Sequence, residues 1–143
     1  MDDLVAWLTA QIRQDEDWLH AAVQYAGHTW HCPTNGIVET ADDQFSTNDR
    51  GVSHHIVSWD PARAQLECTA KLSILQRHVI TVTHQRELPT PESPAGRPFV
   101  DVNCAICGWV STDGRDACPT LHDLARPYAT RPGFRPEWGP VDG

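Results

Sequence analysis

Five cysteines and eight histidines stand in this chain of 143 residues, and two of the cysteines form the turn Cys104-Ala-Ile-Cys107-Gly108. Two thiolates separated by two residues can reach one tetrahedral ion, and a small residue after the second lets the turn close. Cys118 follows after ten intervening residues. A structural zinc ion takes four ligands, so three thiolates ask for one more nitrogen or sulfur donor. Two histidines compete for that place. His122 stands four positions after Cys118, where one turn of helix brings both to one face. His78 is remote in sequence but ends a helix against which a small ribbon would dock. The expected group is Cys104, Cys107 and Cys118 with one of these two histidines, and the expected ion is zinc. The plain alternative is three buried thiols packed as small apolar groups.

Other chemistry is weaker on the same residues. A thioredoxin-like use of Cys104 and Cys107 needs the first cysteine at a helix N-terminus after a strand, whereas Gly108-Trp-Val favours a knuckle turn. A second, looser set comprises His28, His31, Cys32, His54 and His55. With Asp15 it frames a rival reading, a metal- or cysteine-dependent enzyme using Asp15, His55 and the His31-Cys32 pair as base and nucleophile. No nucleophile elbow, phosphate loop, dinucleotide fingerprint or His-Glu-x-x-His is present, so no catalytic residue is assigned.

The elements that must position these groups are legible in outline. Stepping 100° per residue from Leu4 collects Leu8, Ile12, Leu19 and Val23 on one arc, an amphipathic helix over 3–25 that stops at Gly27. Asp15 falls within that apolar arc and needs a partner there. Residues 29–32 and 36–40 read as short strands, the polar run Asp42 to Arg50 as a mobile loop, and His55 to Trp59 as a strand. Asp60-Pro61 opens a second helix, with Asp as cap and Pro at the first position. Its apolar residues fall on two faces, Ala62, Leu66, Ala70 and Ile74 on one and Cys68, Leu72, Leu75 and Val79 near the other, which marks it as central. Residues 79–83, 99–102 and 109–111 read as strands, and Asp113-Gly114 as a tight turn. Cys118-Pro119 opens a third helix that ends before Pro127. Four prolines and a glycine make 87–98 an exposed loop, and residues 131–143 form an irregular tail whose Phe134 and Trp138 pack on the domain. The expected architecture is a single α+β domain over 1–143, three helices with a short antiparallel β ribbon pinned by the zinc knuckle.

Composition narrows the classes of function. The net charge is −8, and its whole imbalance lies in residues 1–60, which carry ten acidic residues and two arginines. That region implies a basic protein partner, or mimicry of nucleic acid towards a nucleic-acid-binding protein. Direct binding of nucleic acid is disfavoured, because the densest basic cluster is Arg126, Arg131 and Arg135 among prolines. No apolar run of membrane-spanning length occurs, and Met-Asp-Asp-Leu is no signal-peptide start, so a cytoplasmic protein is expected. Ten of the eleven basic residues are arginine, as in a GC-rich coding genome.

Several stretches together resemble a family. Asp3-Leu-Val-Ala-Trp-Leu, Asp15-Glu-Asp, Trp30, His55-Ile-Val-Ser-Trp-Asp-Pro-Ala-Arg63, Ala70-Lys-Leu-Ser-Ile-Leu-Gln-Arg-His78, Cys118-Pro-Thr-Leu-His-Asp-Leu-Ala-Arg-Pro-Tyr-Ala129 and Phe134-Arg-Pro-Glu-Trp138 look like the small domain-of-unknown-function proteins of Streptomyces-like actinobacteria and their phages. The resemblance brings no activity with it. It implies a histidine closing the helix after Asp-Pro-Ala, which is His78, and an arginine more often than a histidine where His122 stands. The ligand set it implies is His78, Cys104, Cys107 and Cys118. The reading that follows is a small zinc-binding protein with a structural Cys3His site, acting as a non-catalytic interaction or regulatory module.

Overall fold

The computed structural model describes residues 2–86, 89–92, 94–96, 98–111 and 117–139. Among them are four helices and two small antiparallel sheets. In chain order these are α1 (Asp2–Ala26), β1 (Ile37–Glu39), β2 (Gln44–Ser46), α2 (Arg50–Ser58), α3 (Pro61–Arg77), β3 (Ile80–Arg86), β4 (Pro98–Cys104), β5 (Trp109–Val110) and α4 (Pro119–Ala125). The mixed α+β class is as expected, but there is one helix more than the three anticipated. The chain divides into two compact units, Ala10–Leu72 and Met1–Thr9 with Ser73–Gly143.

In the unit Ala10–Leu72, α1 ends at Gly27, whose N–H donates to the Val23 carbonyl at 3.0 Å with φ at +72°. Glycine is needed there for its left-handed backbone and because a Cβ would meet the Ala41 Cβ at 2.8 Å. The expected strand over 29–32 shrinks to a bridge in which His31 and Glu39 exchange two backbone hydrogen bonds of 2.8 Å. The polar run expected to be a mobile loop contains regular structure. It contains β2, which pairs Phe45 with Val38, and the Thr47 N–H donates to the Gly36 carbonyl at 2.7 Å.

The additional helix, α2, takes the residues His55 to Ser58 that were expected as a strand. Ile56, Val57 and Trp59 have strand-like preferences, but preferences of this kind are worth only fractions of a kcal/mol. Asp49, in extended backbone conformation, accepts a hydrogen bond from the Val52 N–H at 2.9 Å and starts a helix. Ser53 is then fully buried, accepting from the Gly36 N–H at 3.2 Å and donating to the Arg50 carbonyl at 2.9 Å. A cap and a satisfied buried hydroxyl outweigh the residue preferences. Asp60 starts α3 as expected, accepting from the Arg63 N–H at 2.9 Å. Only one of the two apolar faces expected for α3 is covered: Cys68 is buried, whereas Leu66 is 71% exposed.

In the unit built on Ser73–Gly143, β3, β4 and β5 form an antiparallel sheet in that order. β3 and β4 pair over seven residues each, from Ile80 opposite Cys104 to Arg86 opposite Pro98, longer than the expected strands. Leu4 and Leu8 are fully buried. Trp7 packs on Phe134 and Trp138 with ring centroids 5.6 and 5.3 Å apart, and its indole N–H donates to the Pro132 carbonyl at 3.1 Å. The tail therefore does pack its aromatic rings, with a 3-10 turn at Pro136–Trp138. The expected turn at Asp113-Gly114 lies outside the described residues.

Candidate metal centre

Three parts of the fold deliver the side chains, the end of α3, the β4–β5 turn and the start of α4. His78 follows the last residue of α3, and its N–H still donates to the Ile74 carbonyl at 3.0 Å. Two residues later Ile80 pairs with Cys104, so the register of β3 on β4 sets the histidine beside the last residue of β4. The chain then turns back into β5, and the Gly108 N–H closes the turn on the Cys104 carbonyl at 2.9 Å. Gly108 has φ at +67°, a conformation glycine adopts without strain. Cys118 precedes Pro119 as the cap residue of α4, its carbonyl accepting from the Leu121 N–H at 3.0 Å.

The result is a group of four candidate ligands, His78, Cys104, Cys107 and Cys118, whose donor atoms all lie within 4.8 Å of one another. His78 Nδ1 is 3.5 Å from Cys104 Sγ and 3.6 Å from Cys118 Sγ. Cys104 and Cys118 are buried, His78 is half-buried and Cys107 is exposed. Such a group could hold a metal ion.

The two buried thiols are displaced in opposite directions. Burial pushes Cys104 up, but the N–H groups of Cys107 and Ile106, the Cys107 side chain and His78 outweigh it and bring the thiol from 9.0 to about 7. Cys118 is driven up to about 11, by burial first and then by the neighbouring Cys104 charge, against the Leu121 N–H. The N–H groups of the β4–β5 turn favour the Cys104 thiolate, and that neighbouring charge in turn disfavours ionisation of Cys118.

His122 does not join the group. It is buried, with Nδ1 3.2 Å from the Trp138 carbonyl, and Nε2 has no hydrogen-bond partner among the described residues. Because a carbonyl only accepts, Nδ1 carries the proton, and the ring ties α4 to the tail.

The model of a family of unknown function, DUF6221, matches residues 1–140. The chain belongs to that family. No curated protein and no solved structure gives a significant match.

The remaining candidate residues of this DUF6221 protein are dispersed. Asp15 lines a cleft with Trp18, Cys68 and Lys71, and His31, Cys32 and His55 are absent from its walls. His31 and His55 are exposed, and the Cys32 thiol lies 3.4 Å from the Ser53 hydroxyl. Cys104 and Cys107 sit in a strand-to-strand turn, which is not the helix start that thioredoxin-like redox chemistry uses. The three arginines of the densest basic cluster are engaged within the chain. Arg126 pairs with Asp123 at 3.6 Å, Arg135 pairs with Asp3 at 2.8 Å, and Arg131 lies over the Tyr128 ring at 4.7 Å. Arg115, the other arginine of the stretch 115–135, lies outside the described residues. No helix among the described residues is long and apolar enough to cross a membrane.

Proposed function

We propose that His78, Cys104, Cys107 and Cys118 bind one Zn2+ ion with a structural role, and that the protein is a non-catalytic interaction module. The distances from His78 to the thiols carry this reading. With Zn–S about 2.3 Å and Zn–N about 2.0–2.1 Å, a tetrahedral ion separates a nitrogen from a sulfur ligand by about 3.6 Å. The observed separations are 3.5 and 3.6 Å. Three thiolates and one imidazole form a soft donor set that suits zinc, and with all four positions taken by protein no place is left for a substrate. Such an ion would join the end of α3, the β4–β5 turn and the start of α4, and its binding free energy would become folding free energy.

The partner we infer is a basic protein. Residues 1–60 carry ten acidic residues against two arginines, a field that speeds encounter with a cationic surface and is screened by salt. A cytoplasmic setting and an actinobacterial or phage source, with the whole chain acting as one domain, complete the proposal. Titration with a chelator tests the metal part. The melting temperature should fall as zinc is withdrawn and return when it is restored; unchanged melting under strong chelation would refute the structural role.

A further inference from the structure

We propose that the cleft between α1 and α3 in the unit Ala10–Leu72 is a binding site for a small organic amine, with the apolar body of the ligand against Trp18 and Trp59 and its ammonium group towards Asp15 and Glu67. The cleft is independent of the metal centre and measures about 340 Å³, at the lower end of the range of small-molecule sites. Its walls follow from helical spacing. Asp15, Trp18, Leu19 and Ala22 on α1, and Ala64, Glu67, Cys68 and Lys71 on α3, each run i, i+3, i+4, i+7 and so form one face of each helix. Ala22 and Ala64 stand where larger side chains would have filled the gap.

Trp18 and Trp59 are 58% and 48% exposed, so two of the largest apolar side chains in the protein border an open cleft instead of filling a core. An exposed apolar rim around a concave, mostly apolar surface is the pattern of a ligand site. Charge selects the class of ligand. The lining holds two carboxylates and one ammonium group, and the unit around it holds nine acidic and four basic residues. Indole faces attract cations, and the Arg63 guanidinium already lies 4.4 Å over the Trp59 ring while pairing with Glu67 at 3.9 Å. The Asp15 charge reaches into the cleft wall, since after burial it is the next cause holding the Cys68 thiol above its ordinary 9.0.

Titration of the zinc-loaded full chain with phenethylamine, 2-phenylethanol and 3-phenylpropionate, followed by calorimetry and indole fluorescence, tests the assignment. The amine should bind about tenfold or more tighter than the alcohol, with the acid weakest, and salt should narrow the gap. Asp15→Asn should bring the amine down to the level of the alcohol. Ala64→Leu, which fills the cleft, should abolish binding with the circular dichroism spectrum unchanged; if that variant does not fold, Trp18→Ala serves, with an expected loss of about tenfold. Preference for the alcohol or the acid, amine binding indifferent to Asp15→Asn and Trp18→Ala, or no amine binding at millimolar concentration would each overturn the proposal.

Discussion

The Nδ1 atom of His78 lies 3.5 Å from the Cys104 thiol across 26 positions of sequence. The pairing of Ile80 with Cys104 produces this approach, so the histidine is placed by strand register and not by its local sequence. A shift of one residue in that register would turn Cys104 to the opposite face of the sheet. The candidate centre and the β3–β4 ladder are therefore one piece of architecture.

His78 and His122, the two histidines that could complete the cysteine group, should separate cleanly. His78→Asn should weaken zinc binding by at least about tenfold, in keeping with the loss of an oriented imidazole. His122→Leu should leave the zinc content unchanged and destabilise the fold by about 1–3 kcal/mol, because the buried Trp138 carbonyl loses its donor. Parallel metal analysis and denaturant unfolding of the two variants give the answer. Loss of zinc on His122→Leu, with none on His78→Asn, would reverse the ligand assignment.

Zinc affinity should fall as the pH falls, and more steeply below about pH 7. Cys118 keeps its proton up to about 11, so the metal must displace that proton throughout the neutral range. Cys104, at about 7, adds a second proton only on the acid side. These two thiols alone give a loss of about tenfold per pH unit above pH 7 and about a hundredfold per unit below it. In the metal-free protein the signs are opposite for the two groups. The raised Cys118 value contributes stability present below 9.0 and lost as pH rises through about 11. The lowered Cys104 value contributes stability present above 9.0 and lost as pH falls through about 7. Competition with a chromophoric chelator on either side of neutrality measures the slope, and a flat profile would contradict the shared-site account.

Gly27 and Gly108 both have positive φ, but only one is also crowded. Alanine at either should cost about 1–2 kcal/mol for the left-handed backbone. At Gly108 no atom of the described residues lies within 4 Å of the added carbon, so the cost should end there. At Gly27 the 2.8 Å approach to Ala41 adds to it, and Ala41→Gly in the same chain should recover that part alone. Denaturant midpoints compare the variants. Equal costs at the two positions, or no recovery by Ala41→Gly, would show that the helix end tolerates displacement.

The helices that announce themselves locally were legible. Leu4, Leu8 and Ile12 at helical spacing are all fully buried, and Asp60-Pro61 and Cys118-Pro119 open helices where they were expected to. α2 was hidden because Ile56 and Val57 suggest a strand, while the signal that decides, the Asp49 side chain on the Val52 N–H, stands six positions before His55. Asp49 ahead of a nine-residue segment was the available clue. The cysteines of the candidate centre could be read from spacing, because Cys104 and Cys107 share one turn. The histidine could not, since spacing left His78 and His122 open and only the long-range ladder brings His78 close. The cleft was invisible for a similar reason: it depends on which faces of α1 and α3 meet, and on Ala22 and Ala64 being too small to close it.

The metal content of the purified protein decides whether His78 and the three cysteines hold zinc. Elemental analysis should return about one zinc per chain, and cobalt substitution should give the intense thiolate-to-metal absorption of a tetrahedral sulfur-rich site. Cys104→Ser with Cys118→Ser should abolish both signals. A chain that binds no zinc or cobalt at neutral pH, or one whose metal survives the double substitution, would refute a zinc centre at these residues.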